Sequence, residues 1–217
     1  MPSYHMVSQG EHVPGIAASY GFFDFHTIWN HPNNAELKSQ RENPNVLFPG
    51  DELFIPDREV MEYSRPTDKK HQFVRKQPVL KLRMILRDQY ENPVADTACL
   101  LIIESNSHRV TTDGDGKVEL EIPHSARECS LVIQNEQETP HGGVTIPIKI
   151  GSLDPVDEVS GQQGRLSRLA YYAGPIDGND SQDFQSALEE FQCENDLTVD
   201  GICGKKTQAK LKQVCGC

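Results

Sequence analysis

A chain of 217 residues with 36% hydrophobic content and a formal charge of −11 has room for one large domain or about two to three small ones, each with a modest core. The acidic balance excludes nucleic acid, which needs a basic face to displace phosphate counterions, and no apolar stretch approaches the ~20 residues of a membrane-inserted helix. The opening residues "MPSYHMVSQGE" lack the basic start and apolar core of a secretory signal, so the expectation is synthesis in the cytoplasm without a signal peptide.

In residues 1–58, "YHMVSQGE" predicts a short strand that turns at Gly10. Val13, Ile16, Ala17 and Tyr20 then fall at helical spacing, with Gly21 as the stop. "DFHTIWNHPNNAEL" predicts a second short helix with Asp24 as N-cap, Phe25, Ile28 and Trp29 on one face, and a halt at His31-Pro32. "VLFPGDELFIP" closes the unit with a turn and a second strand. The predicted order is βααβ.

The segments "V-x-x-G-E" (Val7 to Glu11), "IAxxYG" (Ile16 to Gly21), "IWN" (Ile28 to Asn30) and "L-x-P-G-D-x-L-x-I-P" (Leu47 to Pro56) together resemble the LysM module, a carbohydrate-binding unit. The resemblance implies a groove in which Gly10, Glu11, His12 and Val13 face Leu47, Phe48, Pro49 and Gly50. Backbone groups of the two turns would there hold N-acetylated sugars, and glycine permits the close approach. As plain turns, the same residues merely close a small fold. Two departures from the pattern stand out: His12 where Ser or Thr often follows the turn, and "AELKSQRENPN", which lengthens the connection to the last strand.

Residues 59–78 read as a locally basic, solvated linker. From 79 to 155 come "VLKLRMILRD", "ACLLIIES", "HRVTTD", "KVELEIP", "CSLVIQN" and "VTIPIKIG", short alternating strands that predict a small antiparallel β-sandwich. "NPVAD" and "TTDGDGKVELEIP" resemble immunoglobulin-like or prealbumin-like spacer domains. Asp113 and Asp115 in "TDGDG" are candidate calcium ligands, but a full set of spaced oxygens is missing, and the segment reads as a hairpin turn.

Residues 156–217 predict three helices. The first carries Leu166, Leu169 and Ala170 on one face and stops at Gly174; the second carries Phe184, Ala187, Leu188 and Phe191; "KKTQAKLKQV" is the third. An Asp-Gly pair occurs twice, at Asp177-Gly178 and Asp200-Gly201, each after an apolar residue and before a helix, which points to an internal duplication. "RLSRLAYYAGPIDG", "ALEEFQ" and "LTVDGICGKKTQAKL" resemble the type 1 peptidoglycan-binding domain. That resemblance implies a shallow wall-binding surface near the Asp-Gly turns, lined by Tyr171, Tyr172, Asp177, Gln192 and Asp200.

A catalytic centre is not evident. Cys99, His124 and His141 supply a formal Cys-His set, yet Cys99 lies inside an apolar strand, where a thiol is buried and inert. The eight histidines show no zinc spacing, and no domain is left over to hold a glycosidase carboxylate pair. No metal or cofactor is expected. Cys193, Cys203, Cys215 and Cys217, spaced C-x9-C-x11-C-x-C, are disulfide candidates in an oxidising compartment and free thiols otherwise.

The sequence thus reads as a multidomain α+β protein: a LysM-like module, a β-sandwich spacer and a three-helix peptidoglycan-binding domain, binding N-acetylated glycan chains without catalysis. "IWNHPNNAEL" resembles proteins of contractile injection machines such as the type VI secretion system. This implies an accessory or cargo delivered to the periplasm or cell wall, with spike or effector proteins as partners. The rival readings are an adaptor whose LysM-like unit grips a protein and never meets sugar, and a wall hydrolase with an unrecognised site.

Overall fold

Three apolar clusters organise the chain in a computed structural model that describes residues 2–58, 64–72, 79–88, 90, 92–133 and 144–216. The first lies under strands β1 (Ser3–Met6) and β2 (Glu52–Ile55), paired antiparallel with Ser3 opposite Ile55 and Met6 opposite Glu52. Helices α1 (Val13–Ser19) and α2 (His26–Trp29) supply Val13, Ile16, Ile28 and Trp29 to a core shared with Leu53 and Ile55. Asp24 precedes the cap position, which Phe25 takes, but its Oδ1 still accepts from His26 N.

The connection expected to be a lengthened loop is helical. Pro32 cannot continue α2, so the chain passes through a 3-10 turn (Pro32–Asn34) into α3 (Ala35–Arg41). Buried Asn34 fixes this path: its Nδ2 donates to Ile28 O and Phe54 O, while its Oδ1 accepts from Phe54 N on the edge of β2.

All six strands expected in the middle of the chain form: β3 (Leu80–Ile85), β4 (Ala98–Ile103), β5 (Asn106–Thr111), β6 (Lys117–Ile122), β7 (Glu128–Ile133) and β8 (Val144–Lys149). They make two antiparallel sheets, β3-β6 and β5-β4-β7-β8, around one core that includes Cys99, Leu101, Ile103, Val118, Ile122 and Leu131. The "TDGDG" hairpin reading needs correction, because β5 and β6 belong to different sheets and the turn carries the chain from one to the other. Asp113 Oδ1 accepts from Asp115 N and Lys117 N, so the turn itself uses the carboxylate. Of the linker read at 59–78, residues 59–63 and 73–78 lie outside the described residues.

The third cluster joins α4 (Val159–Arg168), α5 (Gln182–Glu194) and α6 (Lys205–Cys215) through Leu166, Phe184, Leu188, Phe191 and Leu211. Helix α4 ends earlier than expected. Ala170 turns left-handed at φ 64°, Tyr171 N donates to Leu166 O and Ala170 N to Ser167 O, so Ala170 leaves the helix and Gly174 is not its stop. The same closure ends α5, with Asp196 at φ 56° and Leu197 N donating to Gln192 O. No helix among the described residues is long and apolar enough to cross a membrane.

The bridges expected from Cys193 and Cys203 are not formed, since both are free thiols. Cys193 faces solvent on the last turn of α5, whereas Cys203 turns in against the C-terminal core, where burial pushes its pKa up to about 12. Cys215 closes α6 and is half-buried, and Cys217 lies outside the described residues.

Candidate glycan-binding surfaces

Both N-terminal turns spring from the same end of the β1-β2 pair. Val7 N donates to Asp51 O and Gly50 N to Val7 O, which sets the second turn beside the start of the first. Gly10 and Gly50 adopt φ 81° and 94°, values that favour glycine at both turns. In the first turn the Glu11 carboxylate accepts from Ser8 N, lies 2.8 Å from His5 Nε2 and is 3.7 Å from Arg127. Burial opposes its ionisation, but the Ser8 amide, His5 and Arg127 outweigh it and hold the carboxyl below its ordinary value.

His12 takes over the work of the missing Ser or Thr: its Nδ1 accepts from Gly15 N and caps α1. The ring is 5% exposed; burial, then His124 and Arg127, push its pKa down to about 4 against the opposing pull of Glu11. In the second turn Leu47 is buried, Phe48 and Pro49 are half-buried and Gly50 is exposed. The Asp51 carboxylate accepts from Phe48 N and from Arg41 Nε and Nη2, with the guanidinium 5.7 Å from the Phe48 ring centroid.

The two turns are close, but much of their backbone is already engaged. Glu11 N donates to Ser8 O, Val13 N to Pro44 O, Phe48 N to Asp51 and Gly50 N to Val7 O. The segment from Gly151 to Asp157 also touches both. Gly151 packs so closely that a Cβ there would lie 3.0 Å from Gly10 O and 3.1 Å from the His12 ring. Gln9 Nε2 donates to Asp154, and Arg41 Nη1 lies 3.3 Å from Asp157 Oδ2.

The C-terminal Asp-Gly turns share one design. Gln163, fully buried, accepts from Asp177 N and Gly178 N at its Oε1 and donates from Nε2 to Asp177 Oδ1 and Asn179 O. Gln192, 1% exposed, accepts from Asp200 N and Gly201 N and donates to Asp200 Oδ1 and Ile202 O. The Asn179 amide chiefly, with the Asn179 and Gln163 side chains, holds the Asp177 carboxyl below its ordinary value; the Ile202 amide and then Gln192 do the same for Asp200. Each turn leaves an apolar neighbour in solvent, Ile176 at 56% and Ile202 at 67% exposure.

Of the five residues expected on this surface, Asp177 and Asp200 are exposed and Tyr171 is half-buried, with its hydroxyl donating to Glu194. Tyr172 and Gln192 are inside. Tyr172 donates to Pro175 O and packs its ring edge-on to Phe184, so both residues shape the turns from beneath. Gln163, Ile176 and Ile202 were missed. Gln163 precedes its Asp-Gly pair by a longer stretch than Gln192 does, so the repeat in their roles is hidden from spacing alone.

Cys99 is 2% exposed, donates its thiol to Thr97 O and has its pKa raised by burial. His141 lies outside the described residues. Among the described residues no group of three or more His, Cys, Asp and Glu side chains is placed to hold a metal ion.

Residues 156–211 match the family model described as "Putative peptidoglycan binding domain", which covers α4, α5 and most of α6. The chain is also 40% identical over 55 residues to the N-acetylmuramoyl-L-alanine amidase CwlM of Mycobacterium tuberculosis, covering 25% of this chain and 14% of that protein. The chain therefore spans a small part of that relative's length. No solved structure is significantly similar to the chain. The family match supports cell-wall binding by the C-terminal helices.

Proposed function

We propose that the chain binds peptidoglycan without cutting it, using the C-terminal helices as its principal wall contact. The observation that carries this reading is the match over residues 156–211, whose twin Asp-Gly turns are held from below by Gln163 and Gln192 and present Ile176 and Ile202 outward. A LysM-like unit over residues 1–58 is the second glycan contact, supported by its sequence motifs and by the adjacency of its two turns. The two-sheet unit spaces them, and two weak contacts on one polymer gain by effective concentration. Delivery to the wall as an accessory or cargo of a type VI secretion-like machine rests on the "IWNHPNNAEL" resemblance alone.

A second reading, in which the N-terminal unit grips a protein of such a machine, is favoured by one observation. Pro44 O occupies the Val13 amide and Gly151 packs on Gly10, which leaves less of the first turn for a sugar. The deciding experiment is co-sedimentation of the full chain with insoluble sacculi, with soluble fragments monitored, beside an Ile176→Asp, Ile202→Asp variant. Sedimentation lost in the variant, without fragment release, fits the wall-binding reading. No sedimentation moves the assignment to the adaptor, and fragment release makes the chain a hydrolase.

A further inference from the structure

We infer that the cleft between the N-terminal unit and the C-terminal helices takes the carboxylate-bearing peptide stem of peptidoglycan, an inference that rests on the wall-binding reading. The cleft has a volume of about 530 Å³, within the ~300–1,000 Å³ typical of small-ligand sites. One wall comes from the end of α3 and the residues after it, including Gln40, Asn43 and Val46. The other comes from Gln208 and Lys212 on α6, and Pro155 and Val156 join them. Neither unit forms the site alone.

Its cations fall into two kinds. Arg41 is anchored, with a 4% exposed side chain held by two 2.9 Å bonds to Asp51, which aims Nη1 across the cleft toward Asp157. Arg165 is likewise fixed, with Nη1 donating to Asp154 O and Gly161 O. Lys212 is exchangeable: it meets Glu42 at 3.0 Å, but the two side chains are 42% and 71% exposed. Ion pairs this open contribute little to stability, so a ligand carboxylate can replace Glu42 on Lys212 at small cost.

The lining also matches a peptide in its uncharged groups. The Gln40 amide, the Asn43 Nδ2, whose Oδ1 already accepts from Asn45 N, and the Gln208 Oε1, whose Nε2 already donates to Cys203 O, can pair with peptide N–H and C=O groups, and Val46 and Val156 suit small alanine methyls. Around the cleft Arg41 is balanced by Asp51 and Asp157, so Lys212, whose partner Glu42 is open to solvent, is the cation the cleft offers to a ligand carboxylate. A glycan stripped of its peptide lacks that carboxylate.

The test is calorimetric titration of the full chain with a soluble disaccharide-tetrapeptide and, separately, with a peptide-free N-acetylglucosamine oligomer. The proposal expects the peptide-bearing ligand to bind, Lys212→Gln to weaken it about tenfold through loss of a charge-assisted bond, and Glu42→Gln to tighten it by freeing Lys212. A purely structural role for the pair would move both variants the same way. Because the N-terminal turns can hold the oligomer by themselves, the proposal is overturned if Lys212→Gln weakens the peptide-free oligomer as much as the peptide-bearing ligand, or if affinity for the peptide-bearing ligand is unchanged in both variants. Absence of muropeptide binding by a chain that still sediments with sacculi overturns the cleft alone, and failure of both removes the wall-binding reading with it.

Discussion

Gln163 on α4 and Gln192 on α5 are the same part used twice: each lies buried beneath an Asp-Gly turn, accepts its two successive amides and returns its own amide to the aspartate and to a carbonyl beyond. An apolar substitute takes that partner from the two amides and the carbonyl of each turn, while the exposed carboxylates keep their bonds from the Asn179 and Ile202 amides. Each buried group so orphaned costs about 1–3 kcal/mol. Gln192→Leu is therefore expected to lower stability by roughly 2–4 kcal/mol in a denaturant titration, and Gln163→Leu by a similar amount. A loss below ~0.5 kcal/mol would show that solvent satisfies the turns unaided.

Gly161 allows α4 to lie against the backbone that leads into it. A Cβ there would sit 1.8 Å from Pro155 O, and main chain cannot swing aside as a flexible side chain can. Gly161→Ala is expected to cost about 3 kcal/mol in thermal or chemical unfolding. Gly114→Ala, where a Cβ meets nothing within 4 Å, serves as the control and is expected to stay within ~0.5 kcal/mol of wild type.

His12 makes stability depend on pH in a defined window. Its folded pKa of about 4 lies below the ordinary 6.5, so below pH 6.5 the unfolded chain binds the proton more readily than the folded one. Stability is complete above about pH 6.5 and falls as the pH drops toward 4, by up to about 3 kcal/mol. His124, its pKa also lowered by burial, acts in the same direction. Glu11, Asp177 and Asp200, whose carboxyl pKa values are depressed, lose their contributions only below their ordinary values of 4.5, 3.8 and 3.8. His12→Ser keeps a capping acceptor for Gly15 N and is expected to flatten the unfolding midpoint between pH 6.5 and 4.5; an unchanged slope would assign the window elsewhere.

Periodicity made α1, α2, α4, α5, α6 and all six middle strands legible, because each buries a stripe or face whose spacing the chain writes directly: Val13, Ile16 and Ala17 on α1, or Leu101 and Ile103 on β4; α3, whose buried residue is Arg41, carries no such stripe. The Asp-Gly turns were legible for the same local reason. What escaped depended on contacts between distant segments. Nothing near Gly151 announces that it packs on Gly10, and nothing near Gln163 shows that it faces Asp177. Ala170 escaped differently: glycine is the usual left-handed closure, so Gly174 was the natural choice of stop, yet the Leu166 carbonyl takes the Tyr171 amide first.

Arg41 and Asp51 tie α3 to the second N-terminal turn through a buried bidentate pair, with side chains 4% and 9% exposed. Removing one partner leaves the other charge in a place that water scarcely reaches. Arg41→Met is expected to cost about 3–5 kcal/mol, whereas a matched apolar pair, Arg41→Met with Asp51→Leu, should recover much of it except for the lost Phe48 amide bond. The exposed Lys212–Glu42 pair gives the contrast, since Lys212→Gln should change stability by no more than ~1 kcal/mol. Measured in one denaturant series, the three variants separate the anchored from the exchangeable side of the cleft. If Lys212→Gln unfolds the chain as readily as Arg41→Met, the rim is structural and has no exchangeable cation to offer a ligand.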